Sequence, residues 1–506
     1  MLDPQDNVTE GDCERGLKML VIEAAFSSGT AALTSGVIVT AFALHLGASS
    51  LFVGLLASAP FLTQLLQLPA ILIVERLRAR KRIAVVTSVV GRAMLLVMGA
   101  TAFFVGIGPL LVFLAAQYVL CGLGAIGSCA WNAWLRDLAP EDRLGRVLAR
   151  RSGWTAVVSL IASLAAAVLL DLTPEGSLSR SVAFAAMFVV GCVTGMISAR
   201  IVAAMPEPRM PPIAGPLDLR ALLRAPLADG NFRRLLIFVA SWQFAVNLAT
   251  PFFTVFIVRQ LGFDASLVLI LSAASQLANL AALRSWGTLS DRFTNKSVLL
   301  VAAPVYILCI VAMIGASQIP QPGLAIAWLA VLHVLMGAAV AGVTLCSTNI
   351  ALKLSPRGAA TSYVAANALA TAIAAGLAPI MGGAVASVLA ARKLELIVRW
   401  TSPNGTLSLP LTLSHWDFYF LFAGLLGLYA LHRLSLVHEE GAIERREMVQ
   451  QVLLHTRRTI GNISSVAGLR AATDLPGRFL LEARVRQRWL RARRHREAGL
   501  SRSPIQ

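Results

Sequence analysis

Apolar residues run along this chain in twelve stretches, each ended by a charge, a proline or a polar turn. They cover 20–46, 50–74, 83–107, 109–135, 147–170 and 181–204, then 233–260, 266–290, 297–316, 322–352, 358–390 and 416–434. A helix rises about 1.5 Å per residue, so about 20 apolar residues cross the hydrocarbon of a bilayer. The pattern predicts an all-α membrane protein of twelve transmembrane helices in two six-helix bundles, 20–204 and 233–434. Between them, Met205-Pro206-Glu207-Pro208-Arg209 is followed by Pro211, Pro212 and Pro216. Prolines at this density cannot continue a helix, so 205–232 reads as a linker. Residues 1–19 read as an N-terminal segment, 391–415 as a longer loop and 435–506 as a polar, basic tail.

Composition narrows the classes. The chain is 57% hydrophobic and 14% charged, against about 25% charged in soluble domains. That excludes an ordinary soluble enzyme, and the net charge of +18 is read against a membrane rather than a nucleic acid. Arg76, Arg78, Arg80, Lys81 and Arg82 follow the second run, and Arg136, Arg143, Arg146, Arg150 and Arg151 follow the fourth. The loops after runs 1, 3, 7 and 9 hold almost no Lys or Arg. Basic loops stay on the cytoplasmic side, so both termini are expected there. Arg392, Lys393 and Arg399 in the 391–415 loop run against that trend. Asp3, Asp6, Glu10, Asp12 and Glu14 make the N-terminus too acidic for a cleaved signal peptide. Six cysteines show neither metal-ligand spacing nor a disulfide framework, and no cofactor is expected.

The halves align with one shift of 216 residues. Ser50 meets Ser266, Glu75-Arg76 meets Asp291-Arg292, Arg80 meets Lys296, and Pro140 meets Pro356. Doubled six-helix halves mark transporters built from parallel repeats, with a site between them. The segment Gly287-Thr288-Leu289-Ser290-Asp291-Arg292-Phe293-Thr294-Asn295-Lys296 resembles the G-x-x-x-D-R-x-G-R-R/K loop of the major facilitator superfamily. The first copy, Ile71 to Arg80, keeps Glu75, Arg76 and Arg80 and loses both glycines. The resemblance spans about 20–434. It implies two bundles rocking about a cavity lined by helices 1, 4, 7 and 10, in the inner membrane of a bacterium. The family's helix-4 Arg and helix-5 Gly-Pro pair, marks of drug antiporters, are missing here.

Candidate chemistry falls into three sets. Glu75, Arg76, Arg80, Gly287, Asp291, Arg292 and Lys296 form the cytoplasmic gate motif, whose acids can cap a neighbouring helix. Gln117, Gln243, Asn247, Arg284 and His333 are candidates for a substrate or proton pathway, since polar groups at membrane depth are costly and tend to face cavities. Gln117 and His333 are 216 apart, and His333 titrates near neutral pH. Pro251 is expected to kink helix 7. Arg284 leans toward the membrane centre and would favour an anionic solute. Arg92 is expected to snorkel, Glu23 to be solvated near the headgroups, and Trp131 and Trp134 to anchor at the interface. In the tail, 14 Arg stand against 7 acids, a composition that suits an anionic lipid surface.

These observations imply a monomeric secondary transporter for a small organic solute, working by alternating access with protons as one coupling ion. The alternative is a transporter-like membrane scaffold or assembly factor that moves nothing. No catalytic cluster in the runs points to an enzyme, and no nucleic-acid module is recognisable.

Overall fold

The computed structural model describes residues 5, 9–138, 141–210, 219–356, 360–390, 392–402 and 405–439. The basic tail beyond 439 lies outside these residues. Twelve helices are long and apolar enough to cross a membrane. The first six are Glu10–His45, Ser50–Leu77, Arg80–Phe103, Ile107–Leu135, Arg150–Asp171 and Leu178–Ala204. The second six are Gly230–Gln260, Ala265–Arg292, Asn295–Gln318, Pro322–Lys353, Ser362–Leu389 and His415–Ser435. They are numbered here as spans 1 to 12.

Span 1 starts ten residues before its apolar run. Thr9 accepts from the Asp12 amide while the Asp12 side chain accepts from Thr9. This reciprocal cap satisfies amides the first turn leaves open and carries the polar stretch into the helix. The span breaks at Ser35-Gly36, where Gly36 takes a φ of 56°, and resumes as Val37–His45. Span 2 breaks in its middle. Ser50–Leu62 is α-helical, Thr63–Leu66 is a 3-10 turn, and Gln67–Leu77 is α-helical again. Pro69 has no N–H to offer Leu65, so the preceding turn tightens.

The helix pairs repeat between halves. Spans 3 and 4, 3 and 6, 1 and 6, and 1 and 5 pack in the first half. Spans 9 and 10, 9 and 12, 7 and 12, and 7 and 11 pack in the second. The halves meet where span 2 crosses span 11 and span 5 crosses span 8. A Cβ on Gly54 would lie 2.1 Å from the Pro379 oxygen, and one on Gly383 would lie 2.6 Å from the Ser50 oxygen. Glycine lets these backbones touch, as small residues do where membrane helices cross closely. Aromatic rings fill each half. Phe42 lies edge-on to Phe113 at 5.0 Å, and Phe252 to Tyr419 at 5.3 Å.

Two segments differ from expectation. The 391–415 loop holds an antiparallel hairpin of Leu394–Ser402 and Gly405–Leu413, paired from Leu394–Leu413 to Ser402–Gly405. Its β-branched and alternating residues satisfy their backbone groups across the ladder. The linker holds the short helix Leu219–Ala228, and its first residues fold back onto the first half.

Candidate functional site

The helix ends carrying the basic loops share one face, here the basic face. There the first turns of spans 3 and 9 present open amides. The backbone N–H of Arg80 donates to Glu207 Oε1 at 2.7 Å, and that of Lys296 donates to Glu439 Oε2 at 2.6 Å. Arg80 and Lys296 are matched by the 216-residue repeat. The acids come from the chain just after spans 6 and 12. Glu207 is fully buried, and the Arg80 guanidinium lies 3.5 Å from it while also donating to the carbonyls of Ala133 and Pro208. Burial holds the Glu207 carboxyl above its ordinary range, against the pull of the amides and of Arg80. Glu439 accepts from Asn295 and pairs with Lys353 at 2.9 Å. Lys296 Nζ donates to the carbonyls of Ser435 and Val437.

The gate motif therefore divides. Arg80 and Lys296 are built into carboxylate caps, but the capping acids are not Glu75 and Asp291. Asp291, Arg76 and Arg292 are exposed, Glu75 is half-buried, and Arg292 lies over the Phe293 ring at 5.3 Å. Gly287 sits beside Leu345 with room for a Cβ. The sequence held one clue to the true caps: Glu207 stands between two prolines that stop span 6 and turn the chain back. Trp134 joins this layer. It is buried and donates to the Pro206 carbonyl at 3.0 Å, so it ties span 4 to the linker and is no lipid anchor. Trp131 packs edge-on against it at 5.3 Å.

Between the halves, toward the basic face, lies a cavity of about 710 Å³. Span 2 contributes Phe61, Gln64 and Gln67, and span 7 contributes Trp242, Gln243, Asn247 and Thr250. Tyr306 comes from span 9, Thr344, Ser347 and Thr348 from span 10, and Asn367 and Thr371 from span 11. The broken middle of span 2 turns both glutamines to this space. The expected lining by spans 7 and 10 is present; spans 2 and 11 stand where spans 1 and 4 were expected. Span 7 runs on through Pro251 and loosens one turn later into a π-helical turn, Phe256–Gln260.

Of the pathway candidates, this cavity brings together Gln243 and Asn247, whose side chains bond at 3.1 Å. Gln117 and His333 do occupy matched environments, both buried within their helices. Gln117 Nε2 lies 3.5 Å from Cys121 Sγ, and His333 Nδ1 lies 2.8 Å from the Leu329 carbonyl. Neither lines the cavity. Arg284 is exposed on the side of span 8 that carries Leu277 and Leu280 and is not among the residues that line this cavity. Glu23 is buried, not solvated. Ser198 donates to it at 2.9 Å, Arg151 lies 3.7 Å away, and Arg92 reaches the same Ser198 at 3.2 Å. The Arg92 side chain lies along Gly195, where a Cβ would meet it at 2.4 Å, so it ends on protein and not on headgroups.

At the opposite face, three polar contacts among the described residues join the halves. Arg180 Nη2 meets Asp264 Oδ1 at 2.8 Å, Arg259 donates to the Ala48 carbonyl at 2.6 Å, and Ser266 reaches Asp171 at 3.5 Å. Arg180 is buried and also donates to the carbonyls of Leu170 and Thr173. Arg180, Asp264, Arg259 and Asp171 did not stand out in the sequence, because each sits at a run's end where a lone charge reads as a loop.

Residues 21–379 match the family model of the Major Facilitator Superfamily. Among solved structures, the nucleoside transporter NupG superposes with a TM-score of 0.61 at 12% identity, over 83% of this chain and 98% of that one. A D-xylose-proton symporter gives 0.60 at 14% identity, over 85% and 98%. A bacterial homologue of the human lysosomal transporter Spinster, inward-facing and unoccupied, gives 0.56 at 16% identity, over 89% and 96%. At these identities the likeness is one of fold. No curated protein matches the chain in sequence.

Proposed function

The chain belongs to the major facilitator superfamily, and from that premise we propose that it carries a small organic solute across the membrane by alternating access. One observation carries the reading. A cavity of about 710 Å³ lies between the halves toward the basic face, while Arg180, Asp264 and Arg259 join the halves at the other. A site between repeats, reached from one side at a time as the repeats rock, is the working arrangement of such transporters. With the basic loops on the cytoplasmic side, this conformation faces inward. Both termini then lie in the cytoplasm, and the tail beyond 439 meets the anionic leaflet. A scaffold that moves nothing has no use for a cavity between its halves lined in part by amides and hydroxyls.

Solute-dependent flux in proteoliposomes is the direct test. Folded protein that supports no flux would favour the scaffold reading. Repeating the assay under an imposed pH gradient reads proton coupling, and a pH profile flattened by His333→Gln would put the proton at that imidazole. Orientation is checked separately. A Cys placed at 260–265 is expected to label from outside, and one at 293–296 only after permeabilisation.

A further inference from the structure

Resting on the transporter reading, we propose that the cavity takes an uncharged solute, rich in hydroxyl or amide hydrogens and carrying one flat face. Charge comes first. Among the described residues that line it, there is no Asp, Glu, Lys, Arg or His. A charged solute would leave water for a place with no counter-ion, and an unpaired buried charge is costly. A neutral polar solute exchanges water only for amides and hydroxyls, which this lining supplies from spans 2, 7, 10 and 11.

The unused bonding capacity then sets polarity. Asn367 Oδ1 and Ser347 Oγ are buried without a hydrogen-bond partner, and both residues line the cavity from neighbouring spans. Other amides are already committed. Gln67 Nε2 donates to Gln64 at 2.6 Å and to Ser128 at 3.1 Å, and Asn247 Nδ2 donates to the Gln243 carbonyl at 2.8 Å. What stands unbonded includes two oxygens able to accept, both with almost no exposed surface in this conformation. A buried acceptor left empty is expensive, so a solute that brings O–H or N–H groups to both relieves that cost.

Shape follows from the rings. Trp242 and Tyr306 both line the cavity with centroids 5.9 Å apart and planes inclined by 59°. The Tyr306 hydroxyl is oriented by Thr250 at 3.1 Å. Both rings are largely buried, at 5% and 4% exposure, so each turns only part of its surface to the cavity, where it can lie along one face of a sugar ring or a base. The volume fits the range of about 300–1,000 Å³ for pockets that enclose small ligands. Sugars and nucleosides share this chemistry, and the test separates them.

Purified protein in proteoliposomes is given D-glucose and uridine, beside charged counterparts of similar frame: gluconate, glucosamine and uridine monophosphate. The expected result is uptake of a neutral member, with at least about tenfold less of its charged counterparts. Asn367→Ala and Ser347→Ala, shown to be folded by their melting curves, should each raise KM for that solute, the first by about tenfold. Uptake of a charged member at or above its neutral parent would overturn the solute class and leave the transporter reading standing. An unchanged KM in both variants would overturn the assignment to this cavity. If folded wild-type protein neither moves nor is thermally stabilised by any of the five, the solute class falls, and the transporter reading then rests on flux of solutes outside that class.

Discussion

Glu207 carries the weight of the first half's basic face because the amides of Arg80 and Lys81 donate to a carboxylate with no exposed surface and the Arg80 guanidinium pairs with it at 3.5 Å. Removing one partner of a buried ion pair leaves the other uncompensated, at about 3–5 kcal/mol. Glu207→Ala is therefore expected to lower thermal stability in detergent by that order. Asp291→Asn, at an exposed position, should change it by less than about 0.5 kcal/mol. Equal losses in the two melting curves would show that the loop acid, not the linker acid, is the structural one. This pair shows what the sequence could carry at residue scale. The repeat matched Arg80 to Lys296, and both do occupy equivalent places on equivalent amides. The acid facing each was hidden, because it lies across a chain separation of 127 residues in one half and 143 in the other. Local spacing has no access to such a contact. For the same reason Asn367 drew no notice. One amide in a run of small residues carries no signal until the fold places it on the cavity that Gln243 and Asn247 also line.

At the scale of elements, the apolar runs marked all twelve spans, since each must bury its surface against protein or turn it to lipid along its whole length. Departures occur where side chains act on the backbone: the Thr9 and Asp12 cap that lengthens span 1, and Pro69, which tightens span 2 and aims Gln64 and Gln67. The crossing of spans 2 and 11 is equally local in cause. Gly54 and Gly383 sit against bare backbone of the opposing helix, with nothing flexible to move aside. Gly54→Val must separate the helices, by more than the few tenths of an ångström a packed interior yields. The expected outcome is lost flux with the protein still inserted. A disulfide engineered between spans 2 and 11 should form more slowly than in the Gly54 protein. A Gly54→Ala protein should fall between the two, since even one Cβ would lie 2.1 Å from the Pro379 oxygen. Wild-type rates in both variants would mean the crossing is looser than its geometry implies.

For the whole molecule, the two faces are held by different means. The basic-face caps join residues within one half and can ride with it in the proposed rocking of the halves. The contacts of Arg180 and Arg259 join one half to the other and must break if the opposite face is to open. Asp264 isolates that term. It pairs with Arg180 and also caps span 8, accepting from the Ser266 amide at 2.9 Å. Asn caps a helix about as well as Asp, so Asp264→Asn removes the negative charge and little else, whereas Arg180→Ala would also free the carbonyls of Leu170 and Thr173. A hydrogen bond to a charged group contributes about 1.5–3 kcal/mol. Losing that much from one conformation shifts the balance of two states by up to about 150-fold. Leu44 lines a cavity at this face beside His45, Arg180 and Arg259, so a Cys there reports its opening. In a protein otherwise free of cysteine, Asp264→Asn is expected to speed labelling of that Cys from outside by at least tenfold. Asp264→Glu, which keeps the charge, should stay near the parent rate. Unchanged labelling in Asp264→Asn would mean that this pair follows closure of the face and does not hold it.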